Sequence, residues 1–241
     1  MIRALVRRLV PAAARRATRQ RISRWQIERA IRPLRAQGYL TRSELAEFRS
    51  AWSNEGFSAD ITYLAELMRL IDKNPGDVLE CGTGATTIIA GVLAERLKFR
   101  VFCLEQDAEW LAVGQKALKY HRLSRVEILH APLKTFGNYT WYDISPAALP
   151  SSFGVVICDG PFIDKALGEP HYSQWRYGIL PFLRDKRASF GSLLLDDVND
   201  PRAPHVLENW KKQFGISYDL IQSGDGLAGI LSSHSFNSHT D

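Results

Sequence analysis

The sequence predicts an α/β fold with a Rossmann-like, mostly parallel sheet of seven strands, an antiparallel C-terminal hairpin, and helices that precede the sheet. From about residue 77 onward, apolar β-type runs alternate with helical stretches, as they do in a parallel sheet that is covered on both faces. The last two apolar runs leave no room for a helix between them, so the chain should reverse there. A length of 241 residues suits one such domain with an extension.

The predicted strands are the apolar runs Asp77–Glu80, Arg100–Glu105, Val126–His130, Phe153–Cys158, Ser192–Leu195, Ser217–Ile221 and Leu227–Leu231. Helical periodicity predicts the intervening helices Thr86–Leu97, Ala108–Tyr120, Trp175–Arg184 and Pro204–Phe214. The turn residues Ser223-Gly224-Asp225-Gly226 join the last two strands. Six strands of one direction followed by a reversed strand therefore make up the predicted sheet.

Two helices are predicted ahead of the sheet, in a lead-in over residues 38–75. Thr41 and Glu44 have the spacing of a capping box, in which each side chain bonds the other residue's backbone N–H. A second helix is expected to begin at Ser58-Ala59-Asp60 and to end at Asn74-Pro75-Gly76. The α/β domain itself is then assigned to residues 76–241.

Residues 1–37 form a strongly basic segment, which we treat as an amphipathic helical arm. This segment holds eleven arginines and one acid, Glu28, a charge of +10, whereas the rest of the chain carries −5. Three interpretations stay open: a packed helix pair, contact with an anionic membrane surface through Trp25, or an organellar transit peptide. The segment has neither the apolar length of a membrane span nor the apolar core of a secretory signal. One aromatic residue among the arginines makes nucleic acid an unlikely partner.

The cysteines predict a reduced, metal-free interior. Cys81, Cys103 and Cys158 each lie in a short apolar run, their number is odd, and no CxxC pair occurs. Neither a disulfide framework nor a zinc site is therefore expected. Buried thiols of this kind are typical of a cytoplasmic protein, with peripheral contact to the inner membrane surface as an addition that the arm would allow.

A glycine loop follows the first strand and is the most informative motif of the chain. Glu80 ends the strand, Gly82 and Gly84 follow, and a helix begins; glycines there let the backbone approach a ligand closely. Glu105 ends the next strand, where a carboxylate can accept hydrogen bonds from ribose hydroxyls. Thr87 occupies the third glycine position of a dinucleotide loop, and Glu80 would repel a pyrophosphate but attract a cation. The loop therefore favours S-adenosylmethionine over a nicotinamide cofactor.

This stretch resembles motif I of the class I S-adenosylmethionine-dependent methyltransferases, and the resemblance covers about Trp52 to Leu231. Further stretches resemble one bacterial subgroup, which is similar to methyltransferases found beside glycan- and natural-product-assembly enzymes. These stretches are His130-Ala131-Pro132-Leu133, Trp141-Tyr142-Asp143, Cys158-Asp159-Gly160-Pro161, Arg176-Tyr177-Gly178, Leu180-Pro181 and Leu195-Asp196-Asp197. The resemblance implies that Glu80 and Gly82 hold the methionine part of the cofactor and Glu105 its ribose. It also implies that His130 and Ala131 flank the adenine.

Three acids should meet at the carboxyl edge of the sheet. Asp159 ends the fourth strand, Asp196 and Asp197 end the fifth, and parallel neighbours lie about 4.8 Å apart. Like charges so close call for a cation, and Mg²⁺ would suit their oxygen ligands. The arrangement is similar to metal-dependent O-methyltransferases, in which the metal binds the acceptor hydroxyl. Alternatively, Asp159 holds the cofactor's amino group, Asp196 caps a turn and Asp197 lies at the surface.

Asp159, Lys165 and His171 are the candidate bases, because the loop after the fourth strand should lie over the reaction centre. Arg176 could pair with an anionic substrate or, as we slightly favour, with the acids. Trp141 and Tyr142 are expected to be core residues.

The expected function is methyl transfer to a hydroxyl of a sugar, a glycan or a natural-product small molecule, with metal assistance left open. The alternatives are an N-methyltransferase that acts on protein or nucleic acid, and a non-catalytic, membrane-associated cofactor-binding domain. A nicotinamide oxidoreductase is disfavoured by the glycine loop. The oligomeric state and the acceptor's identity are left undetermined by the sequence.

Overall fold

The computed structural model describes residues 24–52, 59–223, 226–232 and 234–235. The strands of its main sheet are β1 (Val78–Cys81), β2 (Val101–Glu105), β3 (Val126–His130), β6 (Ser152–Cys158), β7 (Ser189–Leu195), β8 (Tyr218–Ser223), β9 (Gly226–Leu231) and β10 (His234–Ser235). Their order across the sheet is β3-β2-β1-β6-β7-β9-β8, and β10 pairs with β7 beside β9. The predicted sheet is confirmed: β1, β2, β3, β6 and β7 pair in parallel, and β9 is antiparallel to both of its neighbours.

Seven α-helices lie within the described residues. Three precede the sheet: α1 (Arg24–Gln37), α2 (Arg42–Trp52) and α3 (Ile61–Lys73). Four alternate with the strands: α4 (Ala85–Leu97), α5 (Ala108–His121), α6 (Ile179–Asp185) and α7 (Ala203–Phe214).

The helices bury the two faces of the sheet in separate cores. In one core, the five helices α1–α5 pack against one face of the sheet, which contributes side chains such as Val101 and Ile157. The other joins α6 and α7 to the opposite face, with Trp141, Tyr142 and Trp210 among its buried aromatic rings. Strands buried on both faces read as continuous apolar runs, which is why the sequence located them well. Trp141 and Tyr142 are core residues, as predicted.

The sequence does not predict the short strand β10, and two further local features differ from the prediction. A small antiparallel hairpin, β4 (Leu133–Phe136) with β5 (Tyr139–Tyr142), stands between β3 and β6 where no strand was expected. The helix predicted from Trp175 begins only at Ile179, because Arg176 has a φ of 54°, outside the helical region. Both differences lie beside the carboxyl edge of the sheet.

The described part of the basic arm is a packed helix. In α1, the face formed by Ile27, Ala30, Ile31 and Leu34 is buried against α2 and α4. The capping box predicted at the start of α2 is present, since Glu44 Oε2 accepts from the Thr41 N–H at 2.7 Å and Thr41 Oγ1 accepts from the Glu44 N–H at 3.3 Å. Residues 1–23, with most of the arm's arginines, lie outside the described residues.

A search of the described helices for a segment long and apolar enough to cross a membrane finds none.

Gly154→Ala should destabilise the fold strongly, because a Cβ on Gly154 would lie 2.1 Å from the backbone oxygen of Asn74. We expect the free energy of unfolding to fall by about 3 kcal/mol, as for other overpacked interiors, in denaturant titrations. Gly229→Ala is the matched strand control, since its Cβ would meet nothing closer than 3.4 Å. Equal losses of unfolding free energy in the two variants would contradict the close approach of Gly154 to the Asn74 backbone.

Candidate active site at the carboxyl edge of the sheet

The glycine loop forms a narrow cradle between β1 and the loop after β6. Gly82 has a φ of 93°, in the left-handed region that favours glycine, and a Cβ there would lie 3.4 Å from the Gly160 nitrogen. Gly84 then leads into α4, where the Thr87 hydroxyl accepts from the Gly84 N–H at 2.8 Å. The third glycine position of a dinucleotide loop is therefore occupied by a residue that stabilises the helix start.

Glu80 is a buried acid with an unused oxygen. It lies in β1 with 0% exposure, and one of its oxygens accepts a short hydrogen bond from the Thr86 hydroxyl. The other, Oε2, has no hydrogen-bond partner within the described part of the chain. Burial raises the pKa of Glu80 to about 8, against the hydrogen bonds from Thr86 and Thr87, which lower it. A buried carboxyl with a free oxygen is suited to a cationic ligand group.

Glu105 holds the loop from the β2 side. Its Oε2 accepts from the Thr83 N–H at 3.0 Å and its Oε1 from the Asp107 N–H at 2.8 Å. The Trp110 indole N–H donates to the Thr83 carbonyl at 2.6 Å, which fixes the same loop from α5. A carboxylate offers about four acceptor positions, so Glu105 keeps capacity for further donors such as ribose hydroxyls.

His130 and Ala131 lie next to Glu105 at the end of β3. His130 is the register partner of Glu105 and is exposed, and the Ala131 N–H donates to the Glu105 carbonyl at 2.8 Å. Ala131 is fully buried. The structure thus brings together all the residues proposed for the cofactor, at one edge of the sheet.

The three acids after β6 and β7 converge as the sequence predicts. One carboxylate oxygen from each of Asp159, Asp196 and Asp197 lies within 4.8 Å of the other two. Asp196 and Asp159 are half-buried, and Asp197 is exposed with a φ of 55°. The register of Cys158 with Leu195 brings the two strand ends level.

Arg176 provides a cation to this cluster. Its Nη2 donates to Asp159 Oδ1 at 3.2 Å, to the Asp159 carbonyl at 2.6 Å and to Asp197 Oδ2 at 2.9 Å. Its Nη1 donates to the Asp196 carbonyl at 2.5 Å, and the guanidinium carbon lies 4.4 Å from the Trp175 ring centroid. The charge that seemed to call for a metal ion is therefore balanced in part by a buried side chain. Of the two kinds of partner considered for Arg176, an anionic substrate or the acids, the structure shows pairing with the acids.

Burial makes the two inner acids harder to ionise. It raises the pKa of Asp196 to about 8, and the neighbouring Asp159 carboxylate adds to the effect while Arg176 opposes it. The pKa of Asp159 is also raised, mainly by burial, again with Arg176 opposing. Acids whose pKa values are raised by burial at a ligand-facing edge are typical of functional sites.

The two other candidate bases lie on the loop after β6. Lys165 is exposed on a single 3-10 turn (Lys165–Leu167) that Asp164 caps. His171 is half-buried, and its Nδ1 lies 3.4 Å from the Thr140 hydroxyl of β5. Of the three candidates, Asp159 is the one that the described contacts place among the converging acids.

Sequence reasoning missed one link across the site. Gln106, after β2, and Phe162, after β6, exchange two hydrogen bonds of 3.0 Å between the Gln106 amide and the Phe162 backbone. The Phe162 ring remains 69% exposed. No local sequence pattern signals a pair 56 residues apart; the only hint is the position of each residue just beyond a strand end.

Comparison with known proteins finds relatives only by structure. No protein-family profile and no curated protein matches the chain. The N-terminal domain of human METTL16 in complex with SAH matches with a TM-score of 0.53 and 16% identity over 82% of this chain and 83% of that chain. A human methyltransferase 10 domain containing protein matches at 0.50 and 15%, over 82% and 99%. The hMettl16 catalytic domain in complex with MAT2A 3'UTR hairpin 1 matches at 0.51 and 14%, over 83% of each. At these identities the likeness shows the Rossmann-like fold alone.

Glu80→Gln should flatten the pH dependence of stability. The folded protein holds the Glu80 proton up to a pKa of about 8, against an ordinary value of 4.5. Between those values the unfolded chain binds fewer protons, so stability falls as pH rises through this window. We expect the variant to melt at least about 2 °C above the wild type near pH 8.5 and close to it near pH 5.

Thermal melting at several pH values measures this difference. Glu47→Gln removes an exposed acid of α2 and is the control, with the wild-type slope expected. A Glu80→Gln slope equal to the wild type would contradict the buried, neutral state assigned to Glu80.

Proposed function

We propose that the chain is an S-adenosylmethionine-dependent methyltransferase. The observation that carries this proposal is the buried Glu80 with its unpartnered Oε2, next to a glycine cradle that a Cβ would fill. A cationic amino group would give that oxygen the partner it lacks and would favour the ionised form of Glu80, whereas that carboxylate would repel a phosphate. The fold shared with the solved methyltransferase structures supports the same assignment.

The cofactor residues have complementary roles in this proposal. Glu80 attracts the cationic methionine end, and Gly82 lets the backbone approach it. Glu105 accepts from the ribose hydroxyls, while His130 and Ala131 flank the adenine at the end of β3. Bound there, the cofactor supplies an electrophilic methyl group on a positively charged sulfur.

The acceptor that we propose is a hydroxyl of a small molecule or glycan. The bound cofactor would supply the methyl group to that hydroxyl oxygen, and the Asp159 carboxylate would take up the proton that the oxygen gives up. The raised pKa of Asp159 makes it a stronger base than an exposed aspartate. Arg176 holds Asp159 in place by bonding both its side chain and its carbonyl. Lys165 and His171 are then left as loop residues near the acceptor.

We propose that Arg176, rather than a metal ion, joins the acids during this reaction. A divalent ion bound by Asp159, Asp196 and Asp197 would lie next to the Arg176 guanidinium, which already bonds two of these acids. The two cations would repel each other at this partly buried site. The three acids, in their present contacts with Arg176, therefore do not fit Mg²⁺. We favour a reaction without a metal ion over a metal-assisted one.

A second acceptor class is favoured by one observation, the exposed ring of Phe162 at the edge of the site. Exposed aromatic rings stack flat bases, and two solved structures like this one are complexes of hMettl16 with RNA hairpins. The expectation that nucleic acid is an unlikely partner is thereby left without support. Transfer to an amine of a nucleobase is the resulting second candidate.

S-adenosylmethionine should raise the melting temperature, whereas NAD should not. A ligand present at about 100 times its Kd stabilises by about 2.7 kcal/mol, which is several degrees for a chain of this size. Glu105→Ala should weaken cofactor binding about tenfold or more in calorimetry, because two acceptor positions are lost. Glu109→Ala, an exposed acid of α5, is the control. No shift at millimolar S-adenosylmethionine would rule out the proposed cofactor.

Asp159→Asn should lower turnover by about 100-fold or more and leave the cofactor Kd nearly unchanged. Labelled methyl transfer to a panel of hydroxyl acceptors and RNA oligonucleotides measures the effect and identifies the bond formed. Asp185→Asn, exposed on α6, is the matched control. Turnover should also survive EDTA.

Full activity of Asp159→Asn would exclude Asp159 as the base. Loss of activity in EDTA with recovery in Mg²⁺ would restore the metal hypothesis. Labelling confined to RNA nitrogen would replace the hydroxyl acceptor by the second candidate.

A further inference from the structure

The outer face of α1 combines aromatic and basic side chains. Trp25, Arg29, Arg32 and Ala36 are exposed at helical spacing, opposite the buried face of the helix. Trp25 is 60% exposed, and the Arg29 guanidinium lies 5.8 Å from its ring centroid. Among the large apolar side chains that the structure describes, only Phe162 is more exposed than Trp25.

The end of α5 extends this face. His121 Nδ1 donates to the Glu28 carboxylate at 2.8 Å, and Arg35 donates to the His121 carbonyl at 2.5 Å, which brings the end of α5 beside α1. Lys119, Tyr120 and Arg122 are exposed there. We call the set Trp25, Arg29, Arg32, Lys119, Tyr120 and Arg122 the basic aromatic surface.

The acid nearest in sequence to these arginines does not neutralise the positive charge of the basic aromatic surface. Glu28 is the single acidic residue among residues 1–37, and it is engaged with His121 and Arg35. Residues 1–23, which continue the chain from the start of α1, add seven arginines and no acid. Their apolar residues Ile2, Leu5 and Leu9 recur at helical spacing.

The basic aromatic surface lies away from the candidate active site. The helix α5 runs back from Glu105 at the carboxyl edge of the sheet and ends just before β3 begins, so its end lies at the amino edge. A partner bound there would leave the carboxyl edge open to an acceptor.

We propose that the basic aromatic surface docks the protein on an anionic phospholipid membrane. Tryptophan and tyrosine favour the headgroup level, where their rings are buried and their polar atoms stay hydrated. Arginines on the same face are attracted to anionic headgroups. An RNA partner fits less well, since the Trp25 ring is flanked by Arg29 on a convex helix face and the surface lies away from the reaction centre. This inference is independent of the proposed methyl transfer.

Vesicle sedimentation of the full chain tests the proposal. We expect binding to phosphatidylcholine vesicles that contain about one third phosphatidylglycerol, little binding to phosphatidylcholine alone, and release by added salt. Arg29→Ala with Arg32→Ala should weaken binding about 30-fold, from about 1 kcal/mol for each arginine near the surface. Trp25→Ala should weaken it as well.

Lys211→Ala with Lys212→Ala, on the exposed side of α7, removes the same charge elsewhere and should leave binding unchanged. Melting temperature and cofactor binding show that each variant is folded. Failure of the wild type to bind anionic vesicles would overturn the proposal, as would equal losses in the two double variants. Binding of RNA oligonucleotides without any vesicle binding, sensitive to Arg29 and Arg32, would assign the surface to nucleic acid instead.

Discussion

The guanidinium of Arg176 joins the two loops on which the carboxyl edge depends. It bonds the backbone carbonyls of Asp159 and Asp196 and the side chains of Asp159 and Asp197, so one side chain fixes the ends of both β6 and β7. To reach them, Arg176 adopts a left-handed φ of 54°, which costs about 1–3 kcal/mol for a residue other than glycine. Such a backbone is retained where surrounding contacts compensate for it. The delayed start of α6 and the proximity of three acids follow from this one placement.

Whereas Arg176 stabilises the site through its contacts, Glu80 is a site residue that lowers the stability of the fold. Its burial without a full set of partners destabilises the ionised protein, because the charge lacks the hydration that it has in the unfolded chain. The same deficiency is what would make a cationic ligand bind well, since the ligand would supply the missing partner. Evolution toward greater stability alone would replace Glu80 by an amide or an apolar residue. Its presence is thus better explained by binding than by folding.

The sequence predicted the fold through periodicity and the site through strand ends. Runs such as Val155–Cys158 are apolar on both faces, so the alternation of strands and helices was legible without a structure. The β4–β5 hairpin was not predicted, although Gly137-Asn138 between Phe136 and Tyr139 is a recognised two-residue turn; its four-residue strands were too short to stand out. The Gln106–Phe162 link and the exact partners of Arg176 depend on tertiary contacts that sequence spacing does not encode.

The arginines around α1 fall into two groups with different structural surroundings, and composition alone could not separate them. The role of the arm therefore stayed open at the level of the sequence. Arg35 donates to the His121 carbonyl at the end of α5, and Arg96 donates to the Ala36 carbonyl at the end of α1. Both satisfy carbonyls at a helix C-terminus, where positive charge is stabilising. Arg29 and Arg32 instead point away from the core on an exposed face. Folding itself accounts for Arg35 and Arg96, whereas Arg29 and Arg32 are available at the surface for the membrane contact that we propose.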